Sequence, residues 1–304
     1  MRRFLPAALV LVFAVPAFTA APTPAERGHK ALTTTAFIPG FWSARSVDEV
    51  WKQWGLAQAI DGCVRHGIRG ISPWRDQVAQ MGLKQAVKSI NSHGLAVTGL
   101  CRGGFFTDKN WRDDNRRAIE EAHALGAQCL VLVVGGLPPG SKDLAAARET
   151  VKNSISEILP DARKAGMPLA IEPLHPMQAA ERACINTLEQ ALDVCDELGE
   201  GIGVALDVYH VWWDPKLEAQ IARAGRARIL AFHVCDWLVP TTDLLNDRGM
   251  MGDGVIDLPR IRSWVEAAGY AGFHEVEIFS ELDWWQRDPD EVLRICKDRY
   301  ARFT

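Results

Sequence analysis

The sequence lacks the marks of several common protein classes. Its seven cysteines are widely spaced and include no Cys-x-x-Cys pair, so they indicate neither a disulfide framework nor a cysteine-rich zinc site. No apolar run reaches the ~20 residues of a membrane-spanning helix. Basic residues show no excess, with 34 Lys and Arg against 38 Asp and Glu, which argues against a dedicated nucleic-acid-binding protein. The remaining balance, 48% hydrophobic and 24% charged residues, is that of a globular protein.

The first 25 residues have the pattern of a secretory signal peptide. Arg2 and Arg3 precede an apolar stretch over residues 4–18, and small residues follow it. We therefore expect residues 1–25 to be removed on export, which gives a periplasmic or secreted protein with no membrane attachment after processing. The alternative is an upstream-extended start codon in front of a cytoplasmic enzyme, and the pattern of unpaired cysteines favours that alternative.

From residue 32 onward, short apolar runs alternate with amphipathic stretches. The runs are too short and too evenly apolar for helices, and they predict strands at residues 32–37, 68–72, 95–100, 129–134, 168–172, 202–207, 229–234 and 274–279. A capping box at Ser46 and Glu49 begins the first predicted helix. Further helices are predicted near residues 77–92, 111–124, 143–165, 187–198, 216–223, 258–268 and 289–301. Several helices end at a glycine in the C-cap position, namely Gly67, Gly94, Gly126, Gly166 and Gly269.

Eight strand–helix units in succession predict an α/β fold, a (β/α)8 TIM barrel that forms a single domain over residues 30–304. Continuous apolar strands that alternate with helices are typical of a parallel sheet covered by helices. No predicted strand is followed directly by Gly-x-Gly-x-x-Gly, so an open dinucleotide-binding sheet is disfavoured. The long segment after the seventh strand, Leu238–Asp257, is predicted to be a lid over the site.

Polar side chains end four successive predicted strands, where the chemistry of a TIM barrel is found. They are Glu172, Asp207, His233 and Glu277. Three buried carboxylates would repel one another strongly without a cation. Three carboxylates and one imidazole suit a divalent ion such as manganese, magnesium or cobalt better than a structural zinc. We therefore predict one divalent metal ion, with manganese preferred and zinc still open.

The loops around this end of the barrel carry aromatic and basic residues. Trp74, Trp212 and Trp237 follow predicted strands and offer faces that pack against sugar C–H groups, or else fill gaps between helices. Arg75 and Arg102 are able to hold hydroxyls, a carboxylate or a phosphate, or else form salt bridges at the rim. The sequence shows no glycine-rich phosphate cradle, so a phosphorylated substrate is not favoured.

These residues stand in motifs that resemble the xylose-isomerase-like TIM barrel family of sugar isomerases and epimerases. The family includes tagatose/psicose 3-epimerases, hydroxypyruvate isomerase and inosose isomerase or dehydratase, and the resemblance covers residues 30–304. The matching pieces, in order, are Glu172-Pro173, Asp207 with His210, His233, the stretch from Arg248 through Gly252 and Gly254 to Asp257, and Glu275 to Glu277.

The resemblance implies roles for the residues at these places. Glu172, Asp207, His233 and Glu277 would bind the metal, and Glu172 and Glu277 would also move the substrate's proton. His210 and Arg248 would orient the substrate. One departure stands out, because His175 lies where epimerases of the family often have Asn. His175 is therefore either a substrate-binding or catalytic group, or a support for a metal ligand.

The expected function is a metal-dependent isomerase or epimerase that acts on a ketose or related keto-polyol through an enediolate. Two alternatives remain open. One is a metal-dependent lyase on a keto-sugar or C-glycoside with His175 as an extra base, and the other is an exported sugar-binding protein without catalysis. The expected partner is a small-molecule sugar or keto-polyol rather than nucleic acid, and a homo-oligomer is a possible assembly.

Overall fold

The computed structural model describes the backbone of Val10–Ala14 and all of residues 54–304. The predicted strand at 32–37 and the capping box at Ser46 and Glu49 lie outside the described residues. Val10–Ala14 forms a strand within residues 1–25, and the assignment of those 25 residues as a signal peptide stays a prediction.

Within the described residues, nine strands form one sheet and a two-stranded hairpin lies beside it. In chain order the strands are β1 (Val10–Ala14), β2 (Gly70–Ser72), β3 (Ala96–Val97), β4 (Leu100–Gly104), β5 (Leu130–Val133), β6 (Leu169–Ile171), β7 (Ile202–Asp207), β8 (Ile229–Val234), β9 (Asp236–Trp237), β10 (Arg248–Gly249) and β11 (Phe273–Val276). The order across the sheet is β3-β2-β1-β11-β8-β7-β6-β5-β4. Because β3 and β4 are two parts of one continuous stretch of chain, the sheet closes on itself as a barrel.

Neighbouring strands pair in parallel around the barrel except at β1, which is antiparallel to both β2 and β11. The predicted TIM barrel is confirmed, and β7 and β8 have the predicted bounds. The third predicted strand ends too early, because the chain resumes the sheet at Leu100 and continues to Gly104.

Helices cover the outside of the barrel, as predicted. They are α1 (Leu56–Arg65), α2 (Arg75–Met81), α3 (Leu83–Ser92), α4 (Trp111–Leu125), α5 (Leu144–Lys164), α6 (Leu188–Leu198), α7 (Val208–Val211), α8 (Leu217–Arg228), α9 (Leu258–Ala267) and α10 (Pro289–Phe303). The single helix predicted near 77–92 is wrong, because Gly82 has a φ of 85° and divides it into α2 and α3. The five predicted C-cap glycines all have positive φ.

The carboxyl ends of the parallel strands meet at one end of the barrel, which we call the mouth and define by Glu172, Asp207, His233 and Glu277. The strands below the mouth also carry buried apolar side chains, such as Leu132, Ile171 and Leu206, that face the covering helices. Among the described residues, no helix combines the length and the apolar character that a membrane span needs.

Candidate metal and sugar site

The four predicted metal ligands meet at the mouth. Each offers one ligand atom, and the four atoms lie within 4.8 Å of one another. Asp207 ends β7 and His233 lies in β8, while Glu172 and Glu277 directly follow β6 and β11. All four side chains are buried. The barrel therefore brings together residues up to 105 positions apart, the interval from 172 to 277.

This donor set fits a single divalent cation. A span of 4.8 Å is close to that of ligands bound to one ion at about 2.0–2.6 Å. Carboxylate-rich sets with one imidazole suit hard or borderline ions. Glu275 lies behind the cluster, with Oε2 3.4 Å from Nε2 of His233. This leaves Nδ1 as the His233 atom nearest Glu172 and Glu277, at 3.1 and 3.5 Å.

The charges in the cluster perturb one another strongly. Burial raises the pKa of Glu172 to about 7, with help from the negative charges of Glu277 and Asp207 and against the hydrogen bond from His233. Burial acts the same way on Glu277, but Arg248 and His233 outweigh it and hold the pKa of Glu277 at about 2. Burial alone would lower the pKa of His233, yet the surrounding glutamates raise it well above its ordinary value. The four residues form an acidic cavity that draws positive charge.

Arg248 supplies part of that charge. Its Nη1 donates to Asp207 Oδ2 at 2.8 Å and to Glu277 Oε2 at 3.1 Å. The side chain is only 2% exposed, and its guanidinium carbon lies 4.4 Å from the centre of the Tyr209 ring. Arg248 is thus built into the floor of the site. In its segment, Leu238–Asp257, residues 248–251 are buried and exposed residues lie on both sides of them; the lid stays a prediction.

The two predicted histidines play different parts. His210 is buried in α7, and its Nε2 lies 3.2 Å from Arg248 Nη2 and 3.6 Å from Asp207 Oδ2. The backbone N–H of His175 donates to His210 Nδ1 at 3.1 Å, so both ring nitrogens of His210 face a donor, the His175 N–H at Nδ1 and the Arg248 guanidinium at Nε2. The His175 ring itself stacks on Trp237, with centroids 4.9 Å apart. Among the described residues it makes no hydrogen bond or ion pair with the four ligands.

A small pocket opens beside the cluster. Glu172, Glu277, His210 and Arg248 line it on one side, and its aromatic lining is Trp74 and Phe279. Trp74, predicted as a wall, is therefore placed there. The other predicted tryptophans Trp212 and Trp237 pack against each other at 5.8 Å.

Neither Arg75 nor Arg102 lines the pocket. Arg75 pairs with Asp114 and Glu121 on α4. It therefore forms salt bridges at the rim, which is one of the two roles predicted for it. Arg102 lies with its guanidinium carbon 3.8 Å from the centre of the Phe105 ring and is not among the residues that line the pocket. Arg182, which the sequence analysis missed, lines the pocket instead.

Gln178 also lines the pocket and was missed, like Arg182. Both lie in the loop after β6, in no motif and on no strand end. The only signal in the sequence is indirect. The Gly135-Gly136 pair after β5 marks a place where another backbone segment approaches closely, and that segment carries both residues.

Comparison with known proteins places the chain in context. The sequence model described as "Xylose isomerase-like TIM barrel" matches residues 60–296. The inosose isomerase of Halalkalibacterium halodurans is 26% identical over 150 residues, which are 48% of this chain and 51% of that protein. The aligned part of the chain thus spans about half the length of this curated relative.

Solved structures share the whole barrel. The crystal structure of protein SMc04130 from Sinorhizobium meliloti 1021 is 61% identical and has a TM-score of 0.81, over 83% of this chain and 94% of that chain. A structure titled as the IOLI protein with a bound zinc atom is 19% identical with a TM-score of 0.70, over 83% and 93% of the two chains. At that identity the likeness shows the fold alone.

Proposed function

The chain belongs to the xylose isomerase-like TIM barrel family, and we propose that it is a divalent-metal-dependent isomerase or epimerase of a ketose or related keto-polyol, working through an enediolate. One observation carries the proposal. The buried cluster of Glu172, Asp207, His233 and Glu277 fits a single cation, and two of its members also line the adjoining pocket. The inosose isomerase relative and the zinc-containing neighbour support the same assignment.

Glu172, Asp207, His233 and Glu277 would hold the ion. When bound, a divalent ion supplies Lewis-acid charge to substrate oxygens, which makes the proton on the carbon beside a carbonyl more acidic. Three carboxylates give the cluster a formal charge of −3 before Arg248 and His233 are counted. The cluster therefore carries enough negative charge to pair with both a metal ion and a guanidinium.

Glu172 and Glu277 are the proton carriers in this proposal. Both line the pocket, and each has a second carboxylate oxygen beyond the one it offers as a ligand. One glutamate takes the proton from the carbon beside the carbonyl, and the other returns it. Return to the same carbon from the opposite face is epimerisation, and return to the adjacent carbon is isomerisation.

His210 and Arg248 are the orienting groups. Nε2 of His210 and the Arg248 guanidinium meet at the pocket wall beside Asp207. Burial, with the charge of Arg248, holds the pKa of His210 well below its ordinary value although Asp207 opposes this. The N–H of His175 and the Arg248 guanidinium face its two ring nitrogens, so His210 holds Arg248 in place at the pocket wall. Nε of Arg248, which has no hydrogen-bond partner among the described residues, is placed to donate to a substrate hydroxyl or carbonyl.

The lyase alternative needs the His175 ring as an additional base. That ring stacks on Trp237 and is half-buried at the side of the site, so the geometry favours a supporting role for His175. A sugar-binding protein without catalysis has no need for two pocket-lining glutamates that are also metal ligands.

Solvent exchange tests the proposal directly. The protein is loaded with Mn²⁺, freed of excess metal and incubated in D₂O with a panel of ketoses and keto-inositols. NMR or mass spectrometry then measures deuterium at carbon. We expect exchange with at least one substrate, and none after removal of the metal with a chelator. Binding without exchange across the panel would favour the sugar-binding alternative, and release of a leaving group would favour the lyase.

A further inference from the structure

Arg182 is a buried cation to which the described residues give no hydrogen bond at Nε or Nη1. Its side chain lines the pocket and the residue is 9% exposed. Nε and Nη1 are both buried and have no hydrogen-bond partner, and no salt bridge to Arg182 exists within the described part of the chain. Burial of a guanidinium without a partner is strongly unfavourable. A partner from outside the chain would remove this penalty.

The charges nearby make the environment of Arg182 more positive. Burial, followed by the charges of Arg102 and Arg248, lowers the pKa of Arg182 to about 10, and Glu172 only partly opposes them. Two acids of the adjoining cluster, Asp207 and Glu277, are already engaged by another cation, because both accept from Arg248. The pocket therefore has an acidic side at the metal cluster and a basic side at Arg182.

The backbone holds Arg182 in this position firmly. Its carbonyl accepts from the N–H of Gly135 at 2.8 Å, and the next residues form a bridge to the same glycine. A Cβ at Gly136 would lie 2.3 Å from the carbonyl oxygen of Ala180, so only glycine permits this approach. The loop after β6 is thus clamped against the end of β5, which fixes the backbone position of Arg182 beside the pocket.

The other unpaired polar atoms of the pocket have the same character. Among the pocket-lining residues, the buried atoms without a partner are Trp74 Nε1, Arg182 Nε and Nη1, and Arg248 Nε, and all of them are donors. A ligand that pairs with these donors must therefore carry hydrogen-bond acceptors. A planar carboxylate matches a guanidinium with two parallel hydrogen bonds, whereas a phosphate ester usually needs several backbone donors as well.

We propose that the substrate is an acidic sugar, a keto-sugar or keto-polyol with a carboxylate that pairs with Arg182 while its carbonyl end lies at the metal cluster. This inference rests on the proposed function for the orientation of the substrate. It adds the substrate class and a specificity-determining residue. Arg182 binds and selects the substrate in this proposal and takes no part in proton transfer.

Matched ligand pairs test it. Isothermal titration of the manganese-loaded protein uses D-fructose against D-fructuronate and D-tagatose against D-tagaturonate, which differ in a terminal hydroxymethyl group or carboxylate. The 6-phosphates of the two ketoses form the third arm. We expect at least one acid to bind about 10- to 100-fold more tightly than its neutral counterpart, as befits one charged hydrogen-bonded pair.

Three variants locate the preference. Arg182→Gln is expected to abolish it, and Arg182→Lys, which keeps the charge without the fork, to retain part of it. The matched control is Arg148→Gln. Arg148 donates to the carbonyl of Cys184 in the same loop but does not line the pocket, so a purely structural effect on the loop would appear in this variant too. Circular dichroism and metal content establish that each variant is folded.

The outcomes are separable. Equal binding of acids and neutral sugars, a preference that survives Arg182→Gln, or tighter binding of a 6-phosphate than of the matching acid would each overturn the inference. Carbon-bound deuterium exchange is measured on the same samples. Exchange on neutral ketoses without any acid preference would leave the isomerase proposal standing and remove this one. Acid binding that depends on Arg182, without exchange, would support the carboxylate-binding role of Arg182 and remove the isomerase proposal.

Discussion

The two faces of β11 place titratable side chains in opposite surroundings, although both are buried. Side chains alternate along a strand, so Glu275 and Glu277 face the barrel interior and His233, whereas His274 faces the helices outside. There Nδ1 of His274 lies 2.8 Å from the Tyr300 hydroxyl. Glutamates raise the pKa of His233 despite its burial, while burial lowers the pKa of His274 to about 3. Burial alone therefore does not mark a functional histidine; the charges around it do.

The comparison predicts that substitutions on the two faces of β11 have different effects. On the inner face the charges are held in place for chemistry, so substitutions should remove activity or metal binding. On the outer face the imidazole is a packing group, so substitution should change stability and leave the site alone. Each prediction below tests one side of this division.

The largest effect is expected for the proton-transfer glutamates. Glu172→Gln and Glu277→Gln keep the size of the side chain and remove a base, so carbon-bound exchange should slow about 10²–10⁴-fold. The rate is measured by NMR in D₂O on the fastest ketose or keto acid of the panel, with metal content determined in parallel. The exposed acid Glu200 provides the control Glu200→Gln, which should keep the wild-type rate. A wild-type rate in either pocket variant would contradict the assignment.

Arg248→Met should reveal how strongly the cluster needs positive charge. Without the guanidinium, Asp207 and Glu277 lose the buried cation that they share, which should lower the stability of the metal-free protein by about 3 kcal/mol. Because a cation replaces the lost charge, Mn²⁺ should raise the melting temperature of this variant more than that of the wild type. Differential scanning calorimetry with and without Mn²⁺ measures both effects.

The control for that variant is Arg223→Met. Arg223 forms its salt bridges with Asp193 and Asp196 on the exposed surface, where such pairs contribute at most about 1 kcal/mol. If Arg248→Met and Arg223→Met lower the metal-free melting temperature equally, Arg248 is not a counter-ion of the cluster.

Asp207→Asn separates metal binding from the local fold. The Asp207 side chain also caps α7 by accepting from the N–H of Tyr209 at 2.9 Å, and asparagine preserves this bond. Loss of one anionic ligand should weaken Mn²⁺ binding about 100-fold. That is at or above the largest loss of affinity expected when the replaced residue only supports a metal ligand. Competition with a fluorescent chelator measures the affinity. An unchanged affinity would remove Asp207 from the ligand set.

The inner face was predictable from sequence because strand ends follow from local pattern. Glu172 and Asp207 end their apolar runs, His233 and Glu277 lie within the last three residues of their predicted strands, and the barrel topology then brings the four together. The break at Gly82 was missed because helical periodicity continues across it, and only the positive φ of that glycine reveals the division.

The arginines were not predictable in the same way. Arg75 and Arg102 both follow strands, yet the acids that pair with Arg75 come from α4, 39 and 46 residues later in the chain. Arg182 became a pocket residue because Gly135 and Gly136 admit a loop that lies some 45 residues further along the sequence. Pairing of long side chains depends on tertiary contacts that no local pattern encodes.

The smallest effect is expected on the outer face of β11, in the response of stability to acid. The pKa of His274 lies at about 3 in the folded protein because of burial, and the positive charge of Arg262 adds to this; the unfolded chain has the ordinary value of about 6.5. The unfolded state therefore binds a proton first as the pH falls. The contribution of neutral His274 is complete above about pH 6.5 and is lost progressively between about pH 6.5 and 3. At pH 5 the loss amounts to about 2 kcal/mol.

His274→Gln should be less stable than the wild type at pH 7 but should lose about 2 kcal/mol less between pH 7 and pH 5 in urea titrations. The exposed His123 on α4 gives the control His123→Gln, in which the wild-type difference between the two pH values should persist. Mn²⁺ affinity should be unchanged in His274→Gln. A variant that keeps the full acid sensitivity, or one that loses metal, would show that the two faces of the strand are not separate.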